Sequence, residues 1–117
     1  MKSPYGTKLD ALGRIRGVAG AMVVGESDGL VVDAILQDGT RGDVVAALVA
    51  SLYRRARLAS GAAGPGSSGF LQLDAEEGRI CAAGIGKDDL VLIAIAESRA
   101  NVGMIRMEML REAKEPV

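Results

Sequence analysis

Short apolar runs alternate with polar turns along the chain, and the spacing within each run predicts its secondary structure. Leucine and isoleucine recur every three residues from Leu9 to Ile15, and Thr7 is placed to cap this short first helix. Two valine-rich runs then flank a Ser-Asp-Gly turn, which predicts a β-hairpin with strands near 19–25 and 30–36. Both runs are apolar at consecutive positions, so we expect both faces of the hairpin to be covered.

A longer helix is predicted from Asp43, a residue type that favours the N-cap, to about Ser60. Gly61 is placed to end it, and a Gly- and Ser-rich linker follows at 61–68. The helix carries an apolar stripe wide enough to serve a core and a further contact. This stripe consists of Val44, Val45, Leu48, Val49, Leu52 and Ala56.

Three more strands are predicted at 69–74, 79–86 and 89–97, and the short turns between them indicate an antiparallel meander. The run from Leu90 to Ala96 is apolar throughout, which is typical of a central strand buried on both faces. The first of the three strands alternates in part and is therefore expected at the periphery.

Asn101 is placed to cap a last helix that extends to about residue 113. Met104, Met107 and Met109 crowd this helix. Since methionine usually fills irregular space in a core, we expect these side chains to be buried, although an exposed methionine surface serves adaptable binding in some proteins.

The element order is therefore helix, two strands, helix, three strands, helix. It predicts an α/β (α+β) three-layer sandwich: a five-stranded antiparallel sheet with two helices on one face and the long helix on the other. One helix is a thin cover for five strands. We expect that face either to stay partly wet or to be covered by a second copy of the chain.

The chain of 117 residues is long enough for one domain with a real core. Fourteen Lys and Arg against fifteen Asp and Glu, with only three aromatic residues, argue against a nucleic-acid partner. The longest apolar runs have seven residues, far fewer than the roughly 20 of a membrane span, so no membrane insertion is expected. Cys81, the single cysteine, fits a buried thiol in a reducing compartment, and we expect a cytoplasmic protein.

The residue types available for chemistry are few. The chain has no histidine, which excludes Ser-His-Asp and Cys-His catalysis and nearly all zinc sites. The glycines at 64–69 match a dinucleotide-binding expression, but a helix precedes them and a strand follows, the reverse of what that site requires. The carboxylate pairs Glu76-Glu77 and Asp88-Asp89 lie in predicted turns, where a catalytic role is the weaker interpretation. We expect no catalytic residue, no metal and no cofactor.

Arg54, Arg55 and Arg57 lie in the last turns of the long helix. One interpretation is a solvated helix end whose cations match the helix dipole. The other is a basic patch beside Tyr53 that faces a partner.

Three motifs, in this order and spacing, resemble the roadblock / dynein light chain family. They are the Gly-Val-x-Gly-Ala entry to the first strand at 17–21, the Asp-Gly-Leu turn at 28–30 and the Asn-x-Gly-x-Ile-Arg start of the last helix at 101–106. The resemblance covers about 7–113 and implies a single roadblock-like domain over 1–117 with a profilin-like fold.

The resemblance further implies a homodimer, in which the third strands of two copies pair into a ten-stranded sheet and the long helices lie side by side. The residues implied at this interface are Val45, Leu48, Val49, Leu52, Phe70, Leu71, Gln72 and Leu73. An unpaired strand edge also favours association on physical grounds.

Similar bacterial proteins regulate or scaffold Ras-like small GTPases, some as GTPase-activating partners, on the surface of the paired long helices. The resemblance therefore implies a non-enzymatic module that binds such a GTPase, with Tyr53, Arg54, Arg55 and Arg57 as contacts. A small-molecule-binding sensor is the alternative, since α/β sandwiches of this size often enclose ligands.

Overall fold

The computed structural model describes residues 3–86 and 89–115, and within them the predicted order of three helices and five strands is confirmed. The long second helix extends beyond its predicted end. The elements are α1 (Gly6–Gly13), β1 (Val18–Gly25), β2 (Val31–Ile35), α2 (Gly42–Ala63), β3 (Phe70–Ala75), β4 (Gly78–Gly84), β5 (Leu90–Glu97) and α3 (Val102–Lys114).

The five strands form one antiparallel sheet in the order β2, β1, β5, β4, β3. β3, β4 and β5 form the predicted meander, and β5 returns beside β1 in the centre of the sheet. All side chains from Val91 to Ala94 are buried, which confirms that β5 is the central, doubly covered strand. The edges of the sheet are β2 and β3.

The sheet separates two cores, as the three-layer prediction requires. On one face Leu9 of α1 and Ile105 of α3 are fully buried among the strands. On the other face Val49 of α2 packs against the sheet. Adjacent residues of β5 serve different cores: Leu92 lies on the α1 and α3 side and Ile93 on the α2 side. No helix in the described part of the chain is long and apolar enough to cross a membrane.

The first two helices begin differently from the prediction. α1 begins at Gly6, and its N-cap is Tyr5, without a side-chain capping bond, so the predicted Thr7 cap is wrong. α2 begins at Gly42, so Asp43 is not the N-cap but lies in the first turn. A carboxylate in the first turn still interacts favourably with the positive end of the helix dipole. For this reason the prediction from Asp43 missed the start of α2 by only one or two positions.

The prediction that both faces of the hairpin are covered holds for β1 and is wrong for β2. Val31, Val32 and Ile35 are each more than 40% exposed. The reason is that β2 is an edge strand, on which the α2 core reaches only Ala34 and, just beyond the strand, Leu36.

The last helix confirms the predicted cap and corrects two of the methionines. The side chain of Asn101 accepts a hydrogen bond from the backbone N–H of Met104 at 3.1 Å. Met109 is fully buried, but Met104 is 52% and Met107 69% exposed. These two side chains lie on the outer face of α3, which the helix turns away from the sheet.

Candidate interaction surface

The outer face of α2 is apolar and open to solvent. Leu48 is 67% exposed, and Leu52 lies one turn further on the same face with 39% exposure. Val45 is half-buried, whereas Val49 points to the sheet and is buried. Of the four helix residues predicted at a dimer interface, Leu48 and Leu52 are therefore exposed and Val49 belongs to the core.

The β3 edge of the sheet is straight and open. β3 pairs with β4 in unbroken register from Phe70 to Ala75, and β4 is its one partner in the sheet. Gln72 and Leu73 are exposed, while Phe70 and Leu71 are half-buried and pack on opposite cores. An edge strand that pairs on one side only and carries apolar side chains is a template for pairing with another strand.

An apolar hollow lies beside this edge, on the α2 face of the sheet. Its volume is about 490 Å³, and its apolar lining includes Leu73, Ile80 and Ile95. The hollow exists because α2 crosses the sheet diagonally. The helix starts against Leu36, just past β2, and reaches the far end of β4 at Gly84, so it leaves the opposite corner of the sheet uncovered.

Tyr53 anchors the middle of α2 to the sheet. The residue is 4% exposed, and its hydroxyl accepts a hydrogen bond from the backbone N–H of Gly84 at 2.9 Å. The same hydroxyl lies 3.5 Å from the carbonyl oxygen of Ser68, just before β3. The structure thus gives Tyr53 a packing role, in contrast to its predicted place among the exposed partner contacts.

The three arginines of α2 differ in their surroundings. Arg57 donates from Nε and Nη2 to one carboxylate oxygen of Glu26, at 3.0 and 2.8 Å. Arg54 lines a hollow of about 120 Å³ between α2 and the hairpin turn, together with Asp28. Arg55 is exposed on the same side as Leu48. Of the three arginines, Arg54 and Arg55 are therefore the ones available to contact a partner protein.

Glu26 is a residue that sequence reasoning missed. It follows β1 directly, and its carboxylate fixes the guanidinium of Arg57 although the two residues are 31 positions apart. A single carboxylate after an apolar strand is a weak signal, because only the fold shows which cation lies opposite. The pair joins the end of β1 to the last third of α2.

The described residues contain no group of three or more Cys, Asp and Glu side chains placed to hold a metal ion. Cys81 is fully buried, and burial raises the pKa of its thiol, which keeps it protonated. Glu76 and Glu77 are exposed at the β3–β4 turn. Asp89 accepts a hydrogen bond from Ser27, and Asp88 lies outside the described residues. The glycines after α2 precede a strand, as predicted for a linker.

Comparisons with known proteins agree with this architecture. The family model of the Roadblock/LC7 domain matches residues 5–97. An uncharacterized protein of Methanocaldococcus jannaschii is 27% identical over 104 residues, which is 89% of each chain. A second protein of the same organism is 28% identical over 102 residues, 87% of each chain.

Solved structures share the fold. A Roadblock/LC7 domain from Streptomyces avermitilis superimposes with a TM-score of 0.81 at 21% identity, covering 95% of this chain and 92% of that one. MglB of Myxococcus xanthus gives a TM-score of 0.80 at 13% identity with the same coverage. The gliding protein MglB of Thermus thermophilus gives 0.81 at 16% identity, covering 97% and 88%. The family match spans most of the chain, and the chain belongs to the Roadblock/LC7 domain family.

Proposed function

We propose that the chain is a non-enzymatic, cytoplasmic homodimeric module that binds a small Ras-like GTPase and regulates or places it. The observation that carries the proposal is the outer face of α2, where exposed Leu48 and Leu52 share a side with the cation Arg55, while Arg54 lies on the adjoining flank toward the hairpin turn. Apolar anchors next to arginine are typical of protein–protein contacts. The resemblance to bacterial GTPase regulators supplies the class of partner.

Pairing of two copies through β3 would cover the part of the sheet that α2 of a single copy leaves open. In an antiparallel pair of β3 strands, the Phe70 end of one strand lies beside the Ala75 end of the other. The second half of α2 covers the Phe70 end of its own sheet, where Tyr53 is anchored, and the hollow lies at the Ala75 end. Each copy therefore brings its α2 toward the uncovered corner of the other.

The first test is affinity capture from native extract with the tagged protein, in parallel with GDP and with a non-hydrolysable GTP analogue. We expect one Ras-like GTPase, retained in a nucleotide-dependent manner. GTP hydrolysis measured with and without the protein then separates activation from scaffolding. Absence of a GTPase under both conditions would contradict the proposal.

The arginine patch is tested by Arg54→Glu combined with Arg55→Glu. We expect GTPase affinity to fall about tenfold or more, because two favourable charges become repulsive at the contact. Arg41→Glu, the same charge reversal at the start of α2, is the matched control. Unchanged affinity of the double variant would remove the patch from the proposal.

A small-molecule sensor is the second candidate, and the hollow is the observation that favours it. Its volume of about 490 Å³ lies within the range of ligand pockets, and Arg79 supplies a polar group in an apolar lining. A ligand screen by thermal shift tests this function. A rise in melting temperature that Ile80→Lys abolishes would support it.

A further inference from the structure

Arg106 of α3 lies over the open edge of the sheet. Its guanidinium carbon is 5.0 Å from the centre of the Phe70 ring, a distance at which a cation interacts favourably with an aromatic face. Arg106 is exposed and makes no ion pair with a carboxylate of residues 3–86 and 89–115. Phe70 is the first residue of β3, so the contact holds this cation at the edge where another strand can pair.

The side chain of Asp74 lies on the same face of the sheet, near the other end of β3. Phe70 packs on the α1 and α3 core, and side chains two and four positions further along a strand point to the same side. Arg79 and Gln72 both contact the Oδ1 atom of Asp74, with the Arg79 Nε at 3.3 Å and the Gln72 Nε2 at 2.9 Å. The Oδ2 atom accepts no hydrogen bond from the described residues, and the side chain is 65% exposed. Asp74 can therefore accept from a further cation.

The backbone of β3 offers three residues to a second strand. A two-residue turn closed by Ala75 and Gly78 joins β3 to β4. The closing pair of such a turn is hydrogen-bonded, and hydrogen-bonded and non-hydrogen-bonded pairs alternate along an antiparallel ladder. The N–H and C=O groups of Phe70, Gln72 and Asp74 therefore point away from β4.

Symmetry and this hydrogen-bonding pattern select one register for a pair of β3 strands, and this step rests on the homodimer proposed above. With both α2 helices on the same side of a continuous sheet, each residue that points outward must lie opposite another that does so. A pair centred on Gln72 uses all three such residues of each chain and places Phe70 opposite Asp74 of the second copy. A centre at Leu73 would place Phe70 opposite the turn, and one at Leu71 would place Asp74 beyond the start of the strand. Each of these shifts loses a hydrogen-bonded pair.

We propose that Arg106 of one copy binds the Asp74 carboxylate of a second copy, and that two such ion pairs, related by the two-fold axis, fix the register of the β3 pair. Opposite residues of an antiparallel pair have Cβ atoms about 4.5–5.5 Å apart, so Asp74 reaches the cation held above the residue opposite it. Charge at this end of the strand favours the contact, because exposed Glu76 and Glu77 follow Asp74, whereas Arg79 is the cation that Asp74 already binds. The contact makes this edge selective for a second copy of the chain, and it leaves the α2 surface free.

Two charge-reversal variants, first alone and then mixed with each other, test the contact. Arg106→Glu alone sets two carboxylates against each other at both contacts of the dimer, and Asp74→Arg alone sets two cations against each other. We expect each variant by itself to dimerise about tenfold or more weakly than the parent chain. In the mixed dimer one contact is the reversed pair and the other is the native pair, so both again join opposite charges. We expect its dissociation constant to lie within about threefold of the parent value, measured by sedimentation with one variant fluorescently labelled.

Arg41→Glu, the same reversal at an exposed arginine at the start of α2, is the matched control. Mixed with Asp74→Arg, it should bind no more tightly than the parent chain does, and far-UV circular dichroism checks that each variant is folded. If Arg106→Glu binds Asp74→Arg no more tightly than this control does, the contact is overturned, while a parent dimer that Leu73→Glu disrupts would keep the proposed homodimer. A monomeric parent chain would overturn both.

Discussion

Single residues of α3 invert the usual relation between polarity and burial. Glu112 is 5% exposed, whereas Met107 is 69% exposed. The 3.6-residue period correctly places a helix here, but it cannot say which side faces the core when both sides carry apolar residues. Lys8, also buried, donates to the carbonyl oxygens of Glu112 and Glu115 and so caps the end of α3, a contact between residues more than 100 positions apart.

The pKa of Glu112 is raised by burial and by its hydrogen bond with Glu108, and the same bond is the main cause that lowers the pKa of Glu108. A raised pKa means that the folded chain holds the proton more tightly than the unfolded chain. The contribution of Glu112 to stability is therefore complete below the ordinary glutamate pKa and is lost as the pH rises through the raised value. The contribution of Glu108 to stability depends on pH in the opposite way: it is complete above the ordinary glutamate pKa and is lost as the pH falls through the lowered value.

We expect Glu112→Gln to raise the melting temperature at about pH 7, because it removes a buried charge and keeps a hydrogen-bond donor for Glu108. The gain should shrink as the pH falls to about 4.5, where Glu112 of the parent chain is itself protonated. Thermal denaturation at the two pH values measures the difference. Glu115→Gln, at an exposed position beside the same arginine, is the control. A gain that does not depend on pH would contradict the explanation.

At the scale of elements, the position of α2 depends on a few polar contacts along its length. Tyr53 and Arg57 hold its second half, through Gly84 and Glu26. The sequence predicts this helix and its apolar stripe well. Because the stripe is broad, the sequence does not show that Val49 faces the core and that Leu48 faces solvent. Partners more than 30 positions away, such as Glu26, follow from the fold alone.

Tyr53→Phe is expected to lower the free energy of unfolding by about 0.5–1.5 kcal/mol, because the half-buried backbone N–H of Gly84 loses its acceptor. Urea denaturation measures the change, which should appear as a lower midpoint with an unchanged slope. Tyr5→Phe, on the other side of the sheet, controls for the loss of a tyrosine hydroxyl. An unchanged midpoint would show that water replaces the hydroxyl without cost.

At the scale of the whole molecule, the order of helices and strands along the chain and the three layers follow from the sequence, because apolar strand runs and helix caps agree with one another. Which strands lie at the exposed edges of the sheet does not follow from the sequence. Val31 and Leu90 both begin apolar strands, yet one strand lies at the edge and the other in the centre. Strand order depends on contacts between distant segments, which local patterns do not encode.

The proposed pairing of two chains predicts the effect of Leu73→Glu. This side chain is 44% exposed in the single chain, so the fold should persist, but a carboxylate at the paired edge and beside the hollow should weaken dimerisation about tenfold or more. Sedimentation equilibrium measures the dissociation constant. Leu30→Glu, an exposed leucine next to the other edge strand, is the matched control. Equal dimer stability in the two variants would show that β3 is not the interface.

The two edges of the sheet differ in a way that limits how far chains can add to one another. Along β2 the register shifts beside Val24, the backbone N–H of Ala34 donates to the carboxylate of Asp33, and Ser3 donates to the same carboxylate. Such a bent and partly occupied edge resists a further strand, whereas β3 is straight. If two chains join through β3, as proposed, each would use its one receptive edge, so growth by strand pairing would stop after a single addition and would not continue into a fibre.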